Sequence, residues 1–275
     1  MTHPAFAPGN TAVITGGASG IGLAAAKRFA AMGLRIVIAD LGMDRLAAAA
    51  DAIAAEVPSA DVIYGEADVR NRDDLVALAQ DRGVDVLMNN AAISPESSTL
   101  DGANWQQMLD VNLWGVIHGT QAFVPHMIAR AKPGLVINTG SKQGITTPPG
   151  NPAYNVAKAG VKAFTEALQH ELRNTPDCQV SAHLLIPGLV WTGLTMRGRT
   201  EKPAGAWTAE QTVDFMVESI ERGDFYILCP DNDVMRALDE KRIAWSAGDI
   251  IENRPPLSRW HPDYADKFKA FVEGK

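Results

Sequence analysis

The sequence predicts an α/β protein in which one parallel, doubly wound β-sheet carries helices on both faces. Short apolar runs rich in β-branched residues alternate with longer, alanine-rich segments, the order that places a crossover helix between parallel strands. A glycine-rich turn joins the first such run to the first alanine-rich segment. The 275 residues are 46% hydrophobic and show no internal repeat, so residues 1–275 are expected to form a single domain.

The boundaries of the elements follow from these alternations and from the turn and capping residues between them. Strands are expected at 11–15, 34–39, 61–67, 84–89, 134–140, 179–186 and 225–229. Helices are expected at about 22–32, 43–57, 71–83, 101–130, 151–173, 208–222 and 231–245. Residues at about 189–207 are predicted to form a substrate loop, and those at about 246–275 a C-terminal tail that is extended over a surface from 253 onward.

Charge and cysteine content restrict the class of protein. The formal net charge of −7 and the absence of a basic run argue against nucleic acid or an anionic membrane as a partner. Cys178 and Cys229 show no metal-ligand spacing, so we expect free thiols in the core, a reducing compartment and no metal site. No leader pattern and no membrane-spanning run is found, which predicts a cytoplasmic protein.

The glycine-rich turn is the first candidate binding motif. It reads Gly16-Gly17-Ala18-Ser19-Gly20-Ile21-Gly22. Glycines let the backbone approach a ligand closely, and the helix that follows offers unpaired N–H groups to a diphosphate. Such a loop alone is weak evidence, but a strand before it and a helix after it together favour a nucleotide site.

Asp40 stands at the end of the second predicted strand, about twenty residues beyond the glycine turn. A carboxylate there accepts hydrogen bonds from an adenosine ribose and repels a 2′-phosphate. Ser19 and Leu41, where an arginine could have received the phosphate, are not basic. The sequence therefore predicts NAD rather than NADP, the alternative being that Asp40 is only a strand-end turn residue. Asp68 ends the third strand and could hydrogen-bond the adenine ring.

Residues 141–158 bring a hydroxyl, a phenol and an ammonium into a short segment. Asn151 followed by Pro152 predicts a helix start, with the asparagine side chain as its cap. Tyr154 and Lys158 are then one turn apart on one helix face. A neighbouring ammonium and a helix N-terminus would both lower the pKa of the phenol, which would make Tyr154 a usable proton acceptor. Taken alone, a tyrosine and a lysine at this spacing are more often an ordinary helix-surface pair.

A set of motifs then follows in order along the chain. They are Thr15-Gly-Gly-Ala-Ser-Gly-Ile-Gly22, Asp68-Val69, Asn89-Asn90-Ala91, Asn112, Ser141, Tyr154-Asn-Val-Ala-Lys158, and Pro187-Gly188 with Thr192. Through these motifs residues 11–192 resemble the short-chain dehydrogenase/reductase family, in its short single-domain branch. The resemblance implies a Rossmann-like fold, a nicotinamide dinucleotide as the cofactor, for which Asp40 predicts NAD, and the interconversion of a secondary alcohol and a ketone.

The resemblance also assigns roles to residues. It implies Tyr154 as the general acid/base, Lys158 as the group that lowers the tyrosine pKa and holds the nicotinamide ribose, Ser141 as the group that orients the substrate oxygen, and Asn112 as support for a proton-relay water. This replaces the ordinary expectation that an asparagine inside a helix faces solvent. The cofactor residues implied are Gly16, Ser19, Gly20, Ile21, Gly22, Asp40, Asp68, Val69, Asn90, Tyr154, Lys158, Pro187, Gly188, Val190 and Thr192.

The substrate is the least determined part of the prediction. Residues expected to line its pocket are Ile93, Ser141, Lys142, Gln143, Tyr154, Trp191, Met196 and Trp207. Their aromatic and sulfur groups indicate an apolar or aromatic alcohol, unless the tryptophans only anchor a lid or a subunit contact. Alternative functions are a dinucleotide-binding sensor or scaffold without turnover, and an NADP-using carbonyl reductase.

Two departures from the family's pattern limit what can be transferred. Ala92 stands where the family usually has glycine, and the chain ends in a long tail instead of the glycine-rich strand of many members. The family's habit of pairing long central helices between subunits implies a homodimer or homotetramer.

Overall fold

The protein folds around a parallel sheet whose strands lie in the order β3-β2-β1-β4-β5-β6-β7. The computed structural model describes residues 2–80, 83–196 and 198–274. Within these ranges the strands are Thr11–Thr15 (β1), Arg35–Asp40 (β2), Val62–Glu66 (β3), Val86–Asn89 (β4), Gly134–Thr139 (β5), Val180–Ile186 (β6) and Tyr226–Leu228 (β7). Every strand pairs in parallel with its neighbours, so the fold class predicted from the sequence is confirmed.

Helices connect the strands and cover both faces of the sheet. They are Gly20–Ala31 (α1), Met43–Glu56 (α2), Arg72–Ala79 (α3), Trp105–Leu109 (α4), Gly115–Ala129 (α5), Gln143–Thr146 (α6), Pro152–Asn174 (α7), Gly193–Met196 (α8), Ala209–Glu221 (α9), Arg236–Ile251 (α10) and Ala265–Glu273 (α11). A π-helical segment, Asp110–Trp114, joins α4 to α5 without a break. In the part of the chain that the structure describes, no helix is long and apolar enough to cross a bilayer.

The strands read as continuous apolar runs because helices bury both of their faces. Alternate residues of β1 belong to different cores: Ile14 packs in the core beneath α1 and α9, whereas Val13 packs in the core beneath α5 and α7. The strand order reverses between β1 and β4, and ligands of open α/β sheets bind outside the carboxyl ends of strands at this reversal. The topology therefore directs attention to the residues after Thr15 and Asn89.

The C-terminal tail differs from its prediction. The last long helix begins at Arg236 rather than 231, and the tail is not extended: short 3₁₀ turns at Ser258–Trp260 and Pro262–Tyr264 lead into α11. This segment packs against the ring of Trp245 on α10. The centroids of the Phe268 and Phe271 rings lie 5.4 and 5.2 Å from the centroid of the Trp245 ring. Burying aromatic surface outweighs the extended preference of a proline-containing segment.

Smaller differences concern helix ends and cysteines. The predicted helix 71–83 is observed as α3, and residues 81 and 82 lie outside the described ranges, as do Arg197 of the predicted loop and Lys275 of the predicted tail. Both cysteines are free as expected, but only Cys229 is buried, whereas Cys178 is half-buried.

Candidate active site

A cleft lies at the carboxyl ends of β1, β4 and β5, where the topology predicts a ligand site. Most of the predicted cofactor residues line it, together with Ser141 and Ile93; they are Gly16, Ser19, Gly20, Ile21, Asp40, Asp68, Val69, Asn90, Tyr154, Lys158, Pro187, Gly188, Val190 and Thr192. Ala92 lines the same cleft. Gly22 and Asn112 do not line the cleft themselves, but each contacts a residue that does: Gly16 and Ile93, respectively.

The glycine turn has no room for side chains at its base. A Cβ at Gly22 would lie 2.2 Å from the Gly16 carbonyl oxygen and 2.7 Å from Asn90 Nδ2. Gly16 itself has φ +66°, and a Cβ there would meet the Ala91 backbone at 2.7 Å. The turn therefore holds its shape only with glycine, and it leaves the N-terminus of α1 open toward the cleft. This cradle fits a dinucleotide diphosphate, which binds backbone N–H groups at a helix N-terminus.

Asp40 is held at the rim of the cleft by backbone hydrogen bonds. Its Oδ2 accepts from the Ala18 N–H at 3.1 Å and its Oδ1 from the Leu41 N–H at 2.8 Å. Arg45 of α2 also lines the cleft, with Nη2 3.9 Å from Asp40 Oδ2. The sequence reasoning missed Arg45 because it considered only positions 19 and 41. An arginine in the first turn of the helix after Asp40 is the signal that would have found it.

Asn90 and Asp68 are both engaged by protein groups. Asn90 Nδ2 donates to the carbonyl oxygens of Thr15 and Gly16, each at 3.3 Å, so it braces the glycine turn. The Asp68 carboxylate forms a salt bridge with Arg70 at 2.5 Å, which holds its pKa below its ordinary value. An adenine contact to Asp68 would therefore share the carboxylate with Arg70.

The predicted reactive groups lie together at the start of α7. Tyr154 is half-buried and lines the cleft together with Ser141. The Ser141 hydroxyl also accepts from the Gln143 N–H at 3.1 Å, which fixes its direction. Lys158 Nζ lies 5.7 Å from the centroid of the Tyr154 ring and donates to the Thr139 carbonyl oxygen at 2.7 Å. Hydroxyl, phenol and ammonium thus face one space.

The pKa values of this group differ from the prediction. Burial raises the pKa of Tyr154 to about 12, and the hydrogen bond from Ser141 opposes that rise only in part. Burial also lowers the pKa of Lys158 to about 8. The expected net lowering of the phenol pKa is therefore not found, because burial disfavours the charged phenolate. The phenol is neutral at pH 7 and can act as a proton donor.

Asn112 lies in the π-helical segment and is fully buried, so the solvent-facing interpretation does not apply. Its Oδ1 accepts from the Ile93 N–H and its Nδ2 donates to the Ile93 carbonyl oxygen, both at 2.8 Å. Nδ2 also lies 3.0 Å from Met108 Sδ. Asn112 therefore fixes the backbone of a residue that lines the cleft.

Asn151 does not cap α7 in the predicted way. Its side chain makes no capping bond; instead Nδ2 donates to the Ser94 hydroxyl and the Pro95 carbonyl, and Oδ1 accepts from the Ser97 hydroxyl at 2.5 Å. Ser97 in turn accepts from the Ala153 N–H at 3.0 Å. The cap is thus supplied from a loop far away in sequence, and no local pattern could have identified Ser97.

Several predicted substrate residues lie elsewhere, which corrects the predicted pocket. The Lys142 ammonium turns away to Asp231 and Asp239, at 3.2 and 2.5 Å, and Lys142 and Gln143 line a second cavity. The Trp207 ring packs against Phe215 at 5.7 Å. Trp191 and Met196 are likewise absent from the cleft lining, to which Leu194 and Thr195 contribute instead.

Comparison with known proteins gives the same family as the motifs. The family model described as short chain dehydrogenase matches residues 10–203. A 3β-hydroxysteroid dehydrogenase 2 from Eggerthella lenta is 33% identical over 211 residues, covering 73% of this chain and 79% of that protein. A sulfoacetaldehyde reductase from Chromohalobacter salexigens is 33% identical over 246 residues, covering 85% and 95%.

A solved structure agrees with this result. The short-chain dehydrogenase/reductase from Burkholderia phymatum, determined in complex with NAD, superposes with a TM-score of 0.81 at 30% identity, covering 90% of this chain and 96% of that one. The extent of the family match and these identities support one conclusion. The chain belongs to the short-chain dehydrogenase/reductase family of oxidoreductases, as its motifs predict.

Proposed function

We propose that this protein is a NAD-dependent dehydrogenase that interconverts a secondary alcohol and a ketone. The observation that carries the proposal is that Ser141, Tyr154 and Lys158 line the same cleft as the glycine turn and Asp40. The relatives named above are called a dehydrogenase and a reductase, which supports chemistry on hydroxyl and carbonyl groups. The NAD complex of the similar structure supports the choice of cofactor.

The protein residues of the cleft would handle the proton and the position of the oxygen. Bound NAD supplies the acceptor for the hydride that leaves the alcohol carbon. Ser141 donates to or accepts from the substrate oxygen and keeps it next to the phenol of Tyr154. Tyr154 takes the hydroxyl proton in oxidation and returns it in ketone reduction. Lys158, held by Thr139, stabilises the phenolate when it forms.

The high pKa of Tyr154 sets an expected pH dependence. Because burial raises it to about 12, the phenol is protonated at neutral pH, the form needed for ketone reduction. Oxidation needs the phenolate, so its rate should rise with pH.

The aliphatic lining from Ile93, Val111, Val190 and Leu194 supports an apolar substrate.

An NADP-using carbonyl reductase is the second candidate function. The observation that favours it is Arg45, a cation 3.9 Å from Asp40 at the expected position of the adenosine ribose. We prefer NAD because the Asp40 carboxylate lies deeper, 16% exposed against 59% for Arg45. Isothermal titration with both coenzymes distinguishes the two.

We also propose a cytoplasmic homodimer or homotetramer. Trp114 and Val156 on neighbouring helical segments are 47% and 48% exposed, which supports a contact between copies there. Light scattering of the purified protein tests the oligomeric state.

The central test of the function is Tyr154→Phe, with Tyr64→Phe, an exposed tyrosine on β3, as the control. The variant should lose NADH formation from a panel of secondary alcohols by about a hundredfold or more, while its affinity for NAD is unchanged. The control should keep both. Undiminished alcohol oxidation by Tyr154→Phe would refute the role of the phenol, and a wild type that binds NAD but oxidises or reduces nothing would favour a sensor.

A further inference from the structure

A second cavity of about 320 Å³ lies behind the loop that follows Ser141. Its walls come from α6, the end of β7, α10 and the C-terminal tail, and Ile145 and Ile243 give it an apolar side. It shares no lining residue with the cleft. Lys142 stands between the two spaces, since a Cβ on the cleft residue Gly188 would lie 2.9 Å from its Nζ.

The acidic groups at this cavity are paired with the Lys142 ammonium. Asp239, buried on α10, lies 2.5 Å from Lys142 Nζ, and Asp231 lies 3.2 Å from the same atom. Two carboxylates therefore share one ammonium. Among the described residues that line the cavity, Asp239 is the only one with a carboxylate side chain. Burial raises the pKa of Asp239, and the neighbouring Lys142 and Arg242 charges oppose that rise.

Two guanidinium groups face the same space with little to neutralise them. Arg242 Nη1 is 4.0 Å from Asp239 Oδ1, and its buried Nε has no hydrogen-bond partner. Arg259 lies over the rings of Trp260 and Phe268, 4.8 and 5.1 Å from their centroids, and forms no salt bridge within the described ranges. Burial and the charge of Arg242 both lower the pKa of Arg259, as expected for cations close together.

We propose that this cavity binds a small organic anion, a monocarboxylate with an apolar or aromatic body. Lys142, Arg242 and Arg259 outnumber Asp231 and Asp239, so the site keeps one net positive charge in an otherwise acidic protein. The planar fork of a guanidinium matches a carboxylate, and two forks facing one cavity can hold both of its oxygens.

The apolar or aromatic part of the ligand would contact a different side of the cavity. The Ile145 and Ile243 side chains form the apolar side, and the Trp260 ring, already stacked with Arg259, offers a flat face. This site goes beyond the proposed dehydrogenase function, because the cavity lies outside the cleft. We expect the anion and NAD to bind independently.

The test is isothermal titration of the full chain with benzoate, in the presence and absence of saturating NAD. Benzoate should bind saturably below about 10 mM with the same affinity in both conditions, and neutral benzamide should not bind. Arg242→Met and Arg259→Met should each weaken binding about tenfold or more, because a charged hydrogen-bonding partner is lost. Arg236→Met, on the same helix but paired with exposed Glu240, should leave the affinity unchanged.

Benzoate binding that survives both cavity variants, equals benzamide binding, or is displaced by NAD or by an alcohol substrate overturns the proposal. Absence of saturable binding overturns it as well. If an arginine variant fails to fold, Trp260→Phe supplies a second readout. Benzoate should quench tryptophan fluorescence of the wild type, and the loss of that quenching in Trp260→Phe places the ligand at the cavity, whereas undiminished quenching places it elsewhere. A failed dehydrogenase assignment would leave these binding results unaffected.

Discussion

Replacing Asp40 by asparagine should shift the coenzyme preference from NAD toward NADP. The substitution keeps the size of the side chain and removes its charge. The Asp40 carboxylate accepts hydrogen bonds from the backbone N–H groups of Ala18 and Leu41, one on each oxygen. Asparagine has only one side-chain oxygen, so one of these N–H groups would lose its acceptor, at a cost of about 1 kcal/mol in stability. Arg45, which also lines the cleft beside Asp40, would keep its positive charge there.

The size of the effect follows from the distance between the charges at this rim. Two unit charges about 4 Å apart, the separation of Arg45 Nη2 and Asp40 Oδ2, interact by about 4 kcal/mol at an effective dielectric constant near 20. Solvent and salt around the exposed Arg45 reduce this to about 1–2 kcal/mol. A 2′-phosphate at the ribose would meet repulsion from Asp40 of similar size, so its removal should strengthen NADP binding by about tenfold.

Isothermal titration with NAD and NADP measures this without a substrate. Asp40→Asn should also bind NAD about tenfold more weakly, since a charged acceptor for the ribose hydroxyls is lost. The double variant Asp40→Asn, Arg45→Met should lose the gain in NADP affinity. Asp44→Asn, exposed on the same turn of α2, is the matched control and should change neither affinity.

Equal binding of both coenzymes by the wild type, or an unchanged ratio of affinities in Asp40→Asn, would contradict the role assigned to Asp40. A double variant that retains the full NADP gain would refute the part assigned to Arg45.

Three further substitutions test the structure of the cleft. Lys158→Met should stabilise the protein by about 2 kcal/mol at pH 7, because lowering the lysine pKa from the ordinary 10.5 to about 8 costs about 3 kcal/mol, of which the loss of the hydrogen bond to the Thr139 carbonyl offsets about 1 kcal/mol. Between pH 8 and 10.5 the unfolded wild type binds more protons than the folded one, so the wild type gains stability with pH and the advantage of the variant should shrink, as urea unfolding would measure. Gly22→Ala should weaken NAD binding about a hundredfold in titration, since its Cβ would lie 2.2 Å from the Gly16 carbonyl oxygen. Asn151→Ala should cost about 2 kcal/mol in unfolding free energy and lower kcat/KM, because Ser94, Pro95 and Ser97 lose their hydrogen bonds to the Asn151 side chain and only the bond from the Ala153 N–H to Ser97 remains.

Matched controls separate these effects from general damage. Lys162→Met removes a half-buried lysine of the same helix that is paired with Glu166, and it should not stabilise the protein. Gly102→Ala adds a methyl group where nothing lies within 4 Å and should leave NAD affinity unchanged. A Lys158→Met variant that is no more stable than the wild type at pH 7, or an Asn151→Ala variant with unchanged kcat/KM, would contradict the respective arguments.

The sheet and the cleft could be predicted from the sequence because their signals are local. Each strand is a short apolar run bounded by turn residues. The candidate site residues can also be recognised from short stretches of sequence, namely the glycine turn, Asp40, and the pair Tyr154 and Lys158. The catalytic and binding roles of these residues stay predictions, which the variants above test.

The rest depended on contacts between distant parts of the chain. The direction of the Lys142 side chain is decided by Asp231 and Asp239, and the cap of α7 by Ser97. The tail folds because Trp245 offers a surface to it. No window of the sequence contains both members of any of these pairs, so periodicity and capping rules could not find them.

The π-helical segment at Asp110–Trp114 has a consequence for how this helix can change during evolution. A regular α-helix advances about 100° per residue, and an i→i+5 turn accommodates about one extra residue. The segment therefore accommodates an extra residue without forming a loop. As a result, the side chains of α5 are rotated about the helix axis relative to the positions that a regular continuation of α4 would give them. Asn112 can face Ile93 while Phe123 and Met127 keep their places beneath the sheet. Residues on the two sides of the segment thus belong to different helical frames, and substitutions that suit one frame are not transferable to the other.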